Sequence, residues 1–236
     1  MTARSISPAI GPVFKFMECA MSRLESGEPG AEFEFSSDVA FTPTVKAIQS
    51  RKGSRRAYSR MEAGGSWQTG ITREIAAFIE SRTSAFLATA NAAGQPYIQH
   101  RGGPAGFLKV LDRKTIGFAD FAGNRQYITQ GNLLENPRAH LFLMDYTYRQ
   151  RVKIWGEARV VEGDAELAEQ LFPAGYNARV EQVILFTVTA WDMNCPQHIP
   201  QLIDAATVQA LLAEKDRKIA ELERKIAAMS APLEKR

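Results

Sequence analysis

The chain has 236 residues, 45% hydrophobic and 23% charged, with 29 basic against 26 acidic side chains and a formal net charge of +3. That material suits a globular protein with one sizeable core, and it gives no support for a nucleic-acid binder, which concentrates positive charge far more strongly. Cys19 and Cys195 are far apart and belong to no CxxC or ligand spacing, the early apolar stretch is broken at Pro8, Gly11, Pro12 and Lys15, and no apolar run approaches the ~20 residues of a membrane helix; the expectation is a soluble cytoplasmic protein with reduced thiols.

Residues 1–40 are dotted with Pro, Gly and Ser and show no sustained period, so they read as an irregular arm. A helix is expected over Pro43–Met61, with Val45, Ile48 and Ala57 as buried points. Its basic cluster, Arg51, Lys52, Arg55, Arg56 and Arg60, either faces an anion or forms a solvated helix face. Ala63-Gly64-Gly65-Ser66 is a linker, and Thr72 caps a short helix with Ile75, Phe78 and Ile79 on one face.

From there the period becomes that of strands. Ala85–Ala90, Pro96–Arg101, Phe107–Leu111, Thr115–Phe118, His140–Met144, Arg151–Val161 and Val183–Trp191 are the candidates. Asn91–Gln95 turns between the first two. Asp112-Arg113-Lys114 joins two others so tightly that much of the sheet must be antiparallel. A short helix follows Asn124 and stops before Asn136-Pro137, because the residue before proline resists the helical conformation; another spans Ala165–Leu171. Such strands with short helices between them suggest a small closed or partly closed barrel, a mainly β (α+β) fold. In the tail, Val208, Leu212, Lys215, Ile219, Leu222, Ile226 and Met229 alternate spacings of four and three, a coiled-coil seam broken only by Lys215. A helix this short needs a partner helix or a groove on the body of the protein. The chain thus divides into an arm with a basic helix (1–65), a barrel (66–203) and a coiled-coil helix (204–236).

No GxSxG, Walker loop, HExxH or helix-opening GxGxxG is present. His100, His140 and His198 lack metal-ligand spacing, so no metal site is expected, and His140 reads as a barrel residue. Cys195 and His198, three apart, have nothing to orient them as nucleophile and base and read as structural. Two strand ends stand out. Gln99-His100-Arg101-Gly102-Gly103 offers a cation beside two small residues. Phe118-Ala119-Asp120-Phe121-Ala122-Gly123-Asn124-Arg125-Gln126 ends a strand and turns toward a helix, where N–H groups and an Arg fork suit a phosphate.

In this order, the hairpin Phe86–Pro96, the turn Gly123-Asn124-Arg125-Gln126, the stretch Leu133-Leu134-Glu135-Asn136-Pro137-Arg138-Ala139 and the run from Arg149 to Ala158 resemble the pyridoxamine 5'-phosphate oxidase-like, FMN-binding split-barrel family. The resemblance runs over residues 78–191. It implies a homodimer with two FMN sites at the subunit interface. By the same resemblance Arg101 and Arg125 hold the flavin phosphate, with Asn124 and Gln126 as polar neighbours. His100 stands beside Arg101 in that set, the backbone around Gly102, Ala119 and Asp120 reads the polar edge of the ring, and Gln150 and Arg151 come from the partner subunit. Two departures are visible. The family's Ser-Arg-Lys turn is Asn124-Arg125-Gln126 here, one cation fewer, with Arg101 or the basic helix able to compensate. The Arg-Leu-His-Asp-Arg segment that closes true pyridoxamine phosphate oxidases is replaced by Asp192-Met193-Asn194-Cys195-Pro196-Gln197-His198-Ile199-Pro200 after Trp191.

The leading functional expectation is an FMN-dependent oxidoreductase acting on a small molecule. In such an enzyme the flavin carries the redox chemistry and no catalytic triad is required. The alternatives are a flavin-binding or sensing protein without its own substrate, a haem-binding or haem-degrading protein ligated through His100 or His198, and a deazaflavin user.

Overall fold

A computed structural model of the chain describes residues 33–194 and 197–230. Most of the N-terminal arm, Cys19 and Cys195 lie outside the described residues. The body is a seven-stranded antiparallel sheet: β1 (Ser84–Ala90), β2 (Pro96–Gly102), β3 (Lys109–Val110), β4 (Thr115–Phe121), β5 (Arg138–Asp145), β6 (Gln150–Val161) and β7 (Val180–Asn194). The spatial order is β2-β1-β5-β6-β7-β4-β3. The sheet curls around one apolar core, and β2 and β4 are brought together without being ladder neighbours. That gap is the split of a split barrel.

Period-two alternation places the core. In β1, Ala85, Leu87 and Thr89 are buried while Phe86 and Ala88 are half-exposed; in β5, Ala139, Leu141 and Leu143 are buried while His140, Phe142 and Met144 are not. The inward set meets Phe118, Ile154, Ile184 and Phe186 from the other strands. Asn91 fixes the β1–β2 turn by accepting from the Gln95 N–H at 2.9 Å, and Gly94 takes the left-handed φ of 81°. Pro96, which has no N–H to give a ladder, begins the edge strand β2. Gly156 sits at a register shift between β6 and β7, where a Cβ would collide with the Thr187 carbonyl and the Phe186 ring. Only glycine lets the two backbones approach there.

Among the described residues there are six α-helices: α1 (Pro43–Lys52), α2 (Arg55–Ala63), α3 (Arg73–Glu80), α4 (Ile128–Glu135), α5 (Ala165–Leu171) and α6 (Ala205–Ser230). Thr72 caps α3 by accepting from the Ile75 N–H at 3.4 Å, and Ile75 and Ile79 enter the core. Three expectations are corrected. The single helix expected over Pro43–Met61 is two, because Gly53 adopts φ 82° and ends α1 in a left-handed cap. Its buried points are Gln49 and Glu62, whereas Ile48 and Ala57 are exposed and Val45 is half-buried. The expected strand Phe107–Leu111 shrinks to two residues: the Pro104–Phe107 turn, closed by the Phe107 N–H on the Pro104 carbonyl at 3.0 Å, drives the Phe107 ring into the core against Phe118.

Candidate functional site

The split holds two adjoining cavities. One, of about 200 Å³, is lined by Tyr97, Gln99 and Arg101 of β2, by Asp120 and Phe121 of β4, by the turn Gly123–Tyr127, by the first turn of α4, and by Glu181 and Gln182 of β7. The second, of about 180 Å³, lies between Gln99–Gly102 and Phe118–Phe121. Alternation along β2 explains the wall: Tyr97, Gln99 and Arg101 share one side, and Ile98 takes the other.

Arg101 and Asp120 form a salt bridge across the split, through Arg101 Nη1 and Asp120 Oδ1. Gln182 Nε2 donates to the second carboxylate oxygen at 2.9 Å, and Thr129 ties α4 to β2 by donating to Gln99 Oε1 at 2.8 Å. Among the described residues the buried Nε–H of Arg101 has no acceptor. A buried guanidinium donor without a partner loses about 1–3 kcal/mol or more relative to a satisfied one, so an acceptor atom delivered into the split would be well received there.

The turn before α4 is the other polar wall. Arg125 and Tyr127 are both non-glycine residues in the left-handed region, at φ 59° and 54°, where side chains cost energy. Arg125 Nε donates to the Tyr127 hydroxyl at 3.2 Å, which itself donates to Glu181 Oε1 at 2.7 Å. The Tyr127 hydroxyl and, behind it, Glu181 hold Arg125 more firmly protonated than usual. Among the described residues no side chain caps α4, and its first-turn N–H groups, which have no intrahelical acceptor, present a partial positive charge to the cavity. The helix starts at Ile128 rather than directly after Asn124, which puts Arg125 in the turn and not in the helix.

Of the sequence-derived candidates, Arg101, Asp120, Asn124, Arg125 and Gln126 share the first cavity, and His100, Arg101, Gly102, Ala119 and Asp120 border the second. The His100 ring is held by Ser84 Oγ at 2.8 Å and lies edge-on to Phe86. Gln150 and Arg151 line neither cavity; they start β6 opposite Asp145 and Met144. The four exposed basic residues of the N-terminal helices, Arg51, Lys52, Arg56 and Arg60, line neither cavity, and Arg55 is engaged by Gln49 and Glu62. Sequence reasoning missed Tyr97 and gave Gln99, within the strand end it singled out, no site role; the period of β2 counted back from Arg101 would have found both. It also missed Tyr127, Glu181 and Gln182; the last two reach the site only because β7 pairs with β4, Gln182 opposite Asp120. His198 is exposed, with φ 61°. Among the described residues no cluster of His, Cys, Asp or Glu could hold a metal ion, and no helix is long and apolar enough to cross a membrane.

Among the described residues, the seam of the split barrel thus carries an unsatisfied guanidinium donor and a helix start without a side-chain cap, features whose chemistry suits a polar or anionic group. Residues 71–195, just over half of the chain, match the model of the pyridoxamine 5'-phosphate oxidase family, and the chain belongs to that family. No curated protein matches the sequence. Among solved structures it is similar to HupZ of Group A Streptococcus (20% identity, 56% of this chain and 99% of that one, TM-score 0.43). It is also similar to an FMN-binding protein of Syntrophomonas wolfei subsp. wolfei (13%, 63% and 97%, TM-score 0.42) and to the FAD-binding protein of Mycobacterium smegmatis (17%, 54% and 97%, TM-score 0.37).

Proposed function

We propose that the chain binds flavin mononucleotide at the split, as a homodimer, and serves as an FMN-dependent oxidoreductase whose substrate is not pyridoxamine phosphate. The observation that carries the cofactor reading is the pairing of Arg101, with its unsatisfied buried Nε–H, and Arg125 beside the uncapped start of α4. A phosphomonoester brings acceptor oxygens and negative charge, which match both features. Arg101 is already half-neutralised by Asp120, so Arg125 and the α4 backbone carry most of the anion's compensation. Flavin, when bound, supplies the redox chemistry. The chain's own residues hold the phosphate, orient the ring along β4 through the backbone of Ala119 and Asp120, and narrow access to it.

The dimer reading rests on the outer face of the sheet. Ile98, Ala88, Phe86, His140, Phe142 and Met144 run side by side across β2, β1 and β5, and Ile98 is 60% exposed. An apolar face of that extent suits a second copy. On this reading Gln150 and Arg151, which line neither cavity of their own chain, serve the partner's.

The test is a visible spectrum of the purified chain, followed by turnover assays. The yellow absorption of bound flavin is expected, together with a melting temperature that rises with FMN. Bleaching by a reduced donor with re-oxidation by an acceptor supports the enzyme; a yellow but inert protein reduces the reading to flavin binding alone. A Soret band, or no uptake of FMN, overturns it. Aldehyde formation from pyridoxamine phosphate at a rate comparable to a true oxidase would remove the substrate part, since the Arg-Leu-His-Asp-Arg closing segment is missing.

A further inference from the structure

We infer that α6 pairs with α6 of a second copy of this chain as a parallel, in-register two-stranded coiled coil, so that its axis is the twofold axis of the dimer. This stands independently of the cofactor. The helix spans 26 residues, Ala205–Ser230, and its seam is bare: Leu212, Ile219, Leu222 and Ile226 are 58%, 52%, 46% and 63% exposed. Among the described residues nothing packs on it. A stripe of this kind on a short helix is stable only when covered.

Three observations name what covers it. The first is the seam's own chemistry. Spacings of four and three put Leu212, Ile219 and Ile226 at a positions and Val208, Lys215, Leu222 and Met229 at d positions. Ile219 and Ile226 at a, with Leu222 at d between them, follow the β-branched-a, leucine-d pattern that favours two parallel strands. The second is charge. The residues flanking the seam on one side, the g positions, are Leu211, Lys218 and Lys225; those on the other, the e positions, include Asp216 and Glu223. In a parallel pair g faces e of the other helix, so Lys218 of each chain meets Glu223 of the other, twice by symmetry. In an antiparallel pair g faces g and e faces e, setting lysines against lysines and carboxylates against carboxylates. In the single chain both lysines lean on Glu221, Lys218 at 2.9 Å and Lys225 at 2.6 Å, a solvated contact that leaves them free to exchange partners. Lys215, the polar break at d, enters a hole whose wall includes Asp216 of the facing helix, so it fixes register rather than simply weakening the seam.

The third is the root of the helix. Asp204 caps α6 by accepting from the Thr207 N–H at 2.8 Å. Just before it, Gln201 donates to the Thr147 carbonyl at 3.0 Å and the Leu202 N–H to the Tyr146 carbonyl at 3.3 Å. The helix therefore springs from the β5–β6 hairpin, the one that carries Gln150 and Arg151 at the margin of the outer apolar face. A closed dimer has a single twofold axis, and a parallel coil rooted beside that face shares it with a pair of barrels packed face to face.

Disulfide trapping in the full chain tests this, in a background of Cys19→Ser and Cys195→Ser that retains its melting temperature. With Leu222→Cys, oxidation is expected to convert most of the chain to a covalent dimer. In the antiparallel arrangement position 222 lies opposite position 212, so co-expressed chains of different tag length, one with Leu212→Cys and one with Leu222→Cys, would form a mixed disulfide. In the parallel coil the two positions are ten residues, about 15 Å, apart and form none. Lys218→Glu is expected to slow trapping at position 222 roughly two- to fivefold, and Lys218→Glu with Glu223→Lys to restore it. A mixed disulfide without the homotypic one overturns the parallel orientation. No disulfide at either position, with the fold intact, means that α6 is covered by something other than its own copy and overturns the inference. Trapping indifferent to both charge variants overturns the ionic part.

Discussion

The Arg55–Glu62 and Arg101–Asp120 ion pairs solve the same problem differently. In the N-terminal hairpin, Arg55 meets Glu62, and Gln49 Oε1 accepts from Arg55 Nη1 at 2.7 Å. The carboxylate oxygens there that lack a hydrogen bond, Glu62 Oε1 and Asp38 Oδ1, still face the Lys46 ammonium, at 3.9 Å and 2.7 Å. Every charge in that cluster has an opposite charge beside it. At the split, Arg101 meets Asp120, Gln182 completes the carboxylate, and Arg101 Nε is left without an acceptor among the described residues. Burying unpaired polarity is expensive, so the hairpin pair reads as an element that closes on itself and stabilises a small two-helix unit. The split pair, standing in a cavity wall, keeps a donor in reserve.

Breaking the pairs separates these roles. Asp120→Ala leaves the Arg101 guanidinium buried beside no carboxylate, and by analogy with other broken buried pairs it should cost about 3–5 kcal/mol in denaturant unfolding. The same change frees a cation at the split, so FMN should recover more of that stability than it adds to the wild type. Glu62→Ala should also destabilise, and there FMN should recover no more than in the wild type. Equal rescue of both variants by FMN would erase the distinction.

His140 meets burial in a third way, by staying neutral. Between Phe142 and Trp155 on the sheet, burial and then the nearby Lys153 ammonium push its pKa down to about 4. The unfolded chain takes up that proton near 6.5, so between pH 6.5 and about 4 unfolding gains a proton, and stability falls as the pH falls. Below about 4 both states are protonated and this contribution levels off. The loss should not exceed about 3.5 kcal/mol, and it should be missing from the pH profile of His140→Phe. Parallel profiles for the two proteins would mean that the imidazole titrates normally.

The smallest expected effect is on ligand binding. Arg125→Ala should weaken FMN roughly tenfold and leave riboflavin, which lacks the phosphate, little changed. Both ligands are titrated by fluorescence quenching once the melting temperatures agree. Equal losses would trace the effect to general loosening of the turn. No loss for either would move the phosphate away from Arg125, with Arg101 the next candidate.

Much of this molecule is written locally. The alternation of Ala85, Leu87 and Thr89 against Phe86 and Ala88, the Asn91–Gln95 turn, the stop before Asn136-Pro137 and the heptads of α6 are short-range patterns, each set by side chains within a few residues of one another. The same short range made Arg101 and Arg125 legible as strand-end and turn cations. It also misplaced the start of α4, since nothing local announces two left-handed non-glycine residues at Arg125 and Tyr127. It ran α1 and α2 together, because an apolar period was sought where the buried side chains are Gln49 and Glu62, satisfied by partners on another turn of the chain.

The sequence by itself determined the strands, the caps and the unpartnered seam, because those depend on period and on backbone sterics. Only the tertiary structure decided that Arg101, nineteen residues from Asp120, would close the split with it, and that Glu181 would reach Tyr127 across fifty-four. Electrostatic partners are chosen by whichever groups the closing sheet brings within a few ångströms, and that choice leaves no periodic trace in the chain.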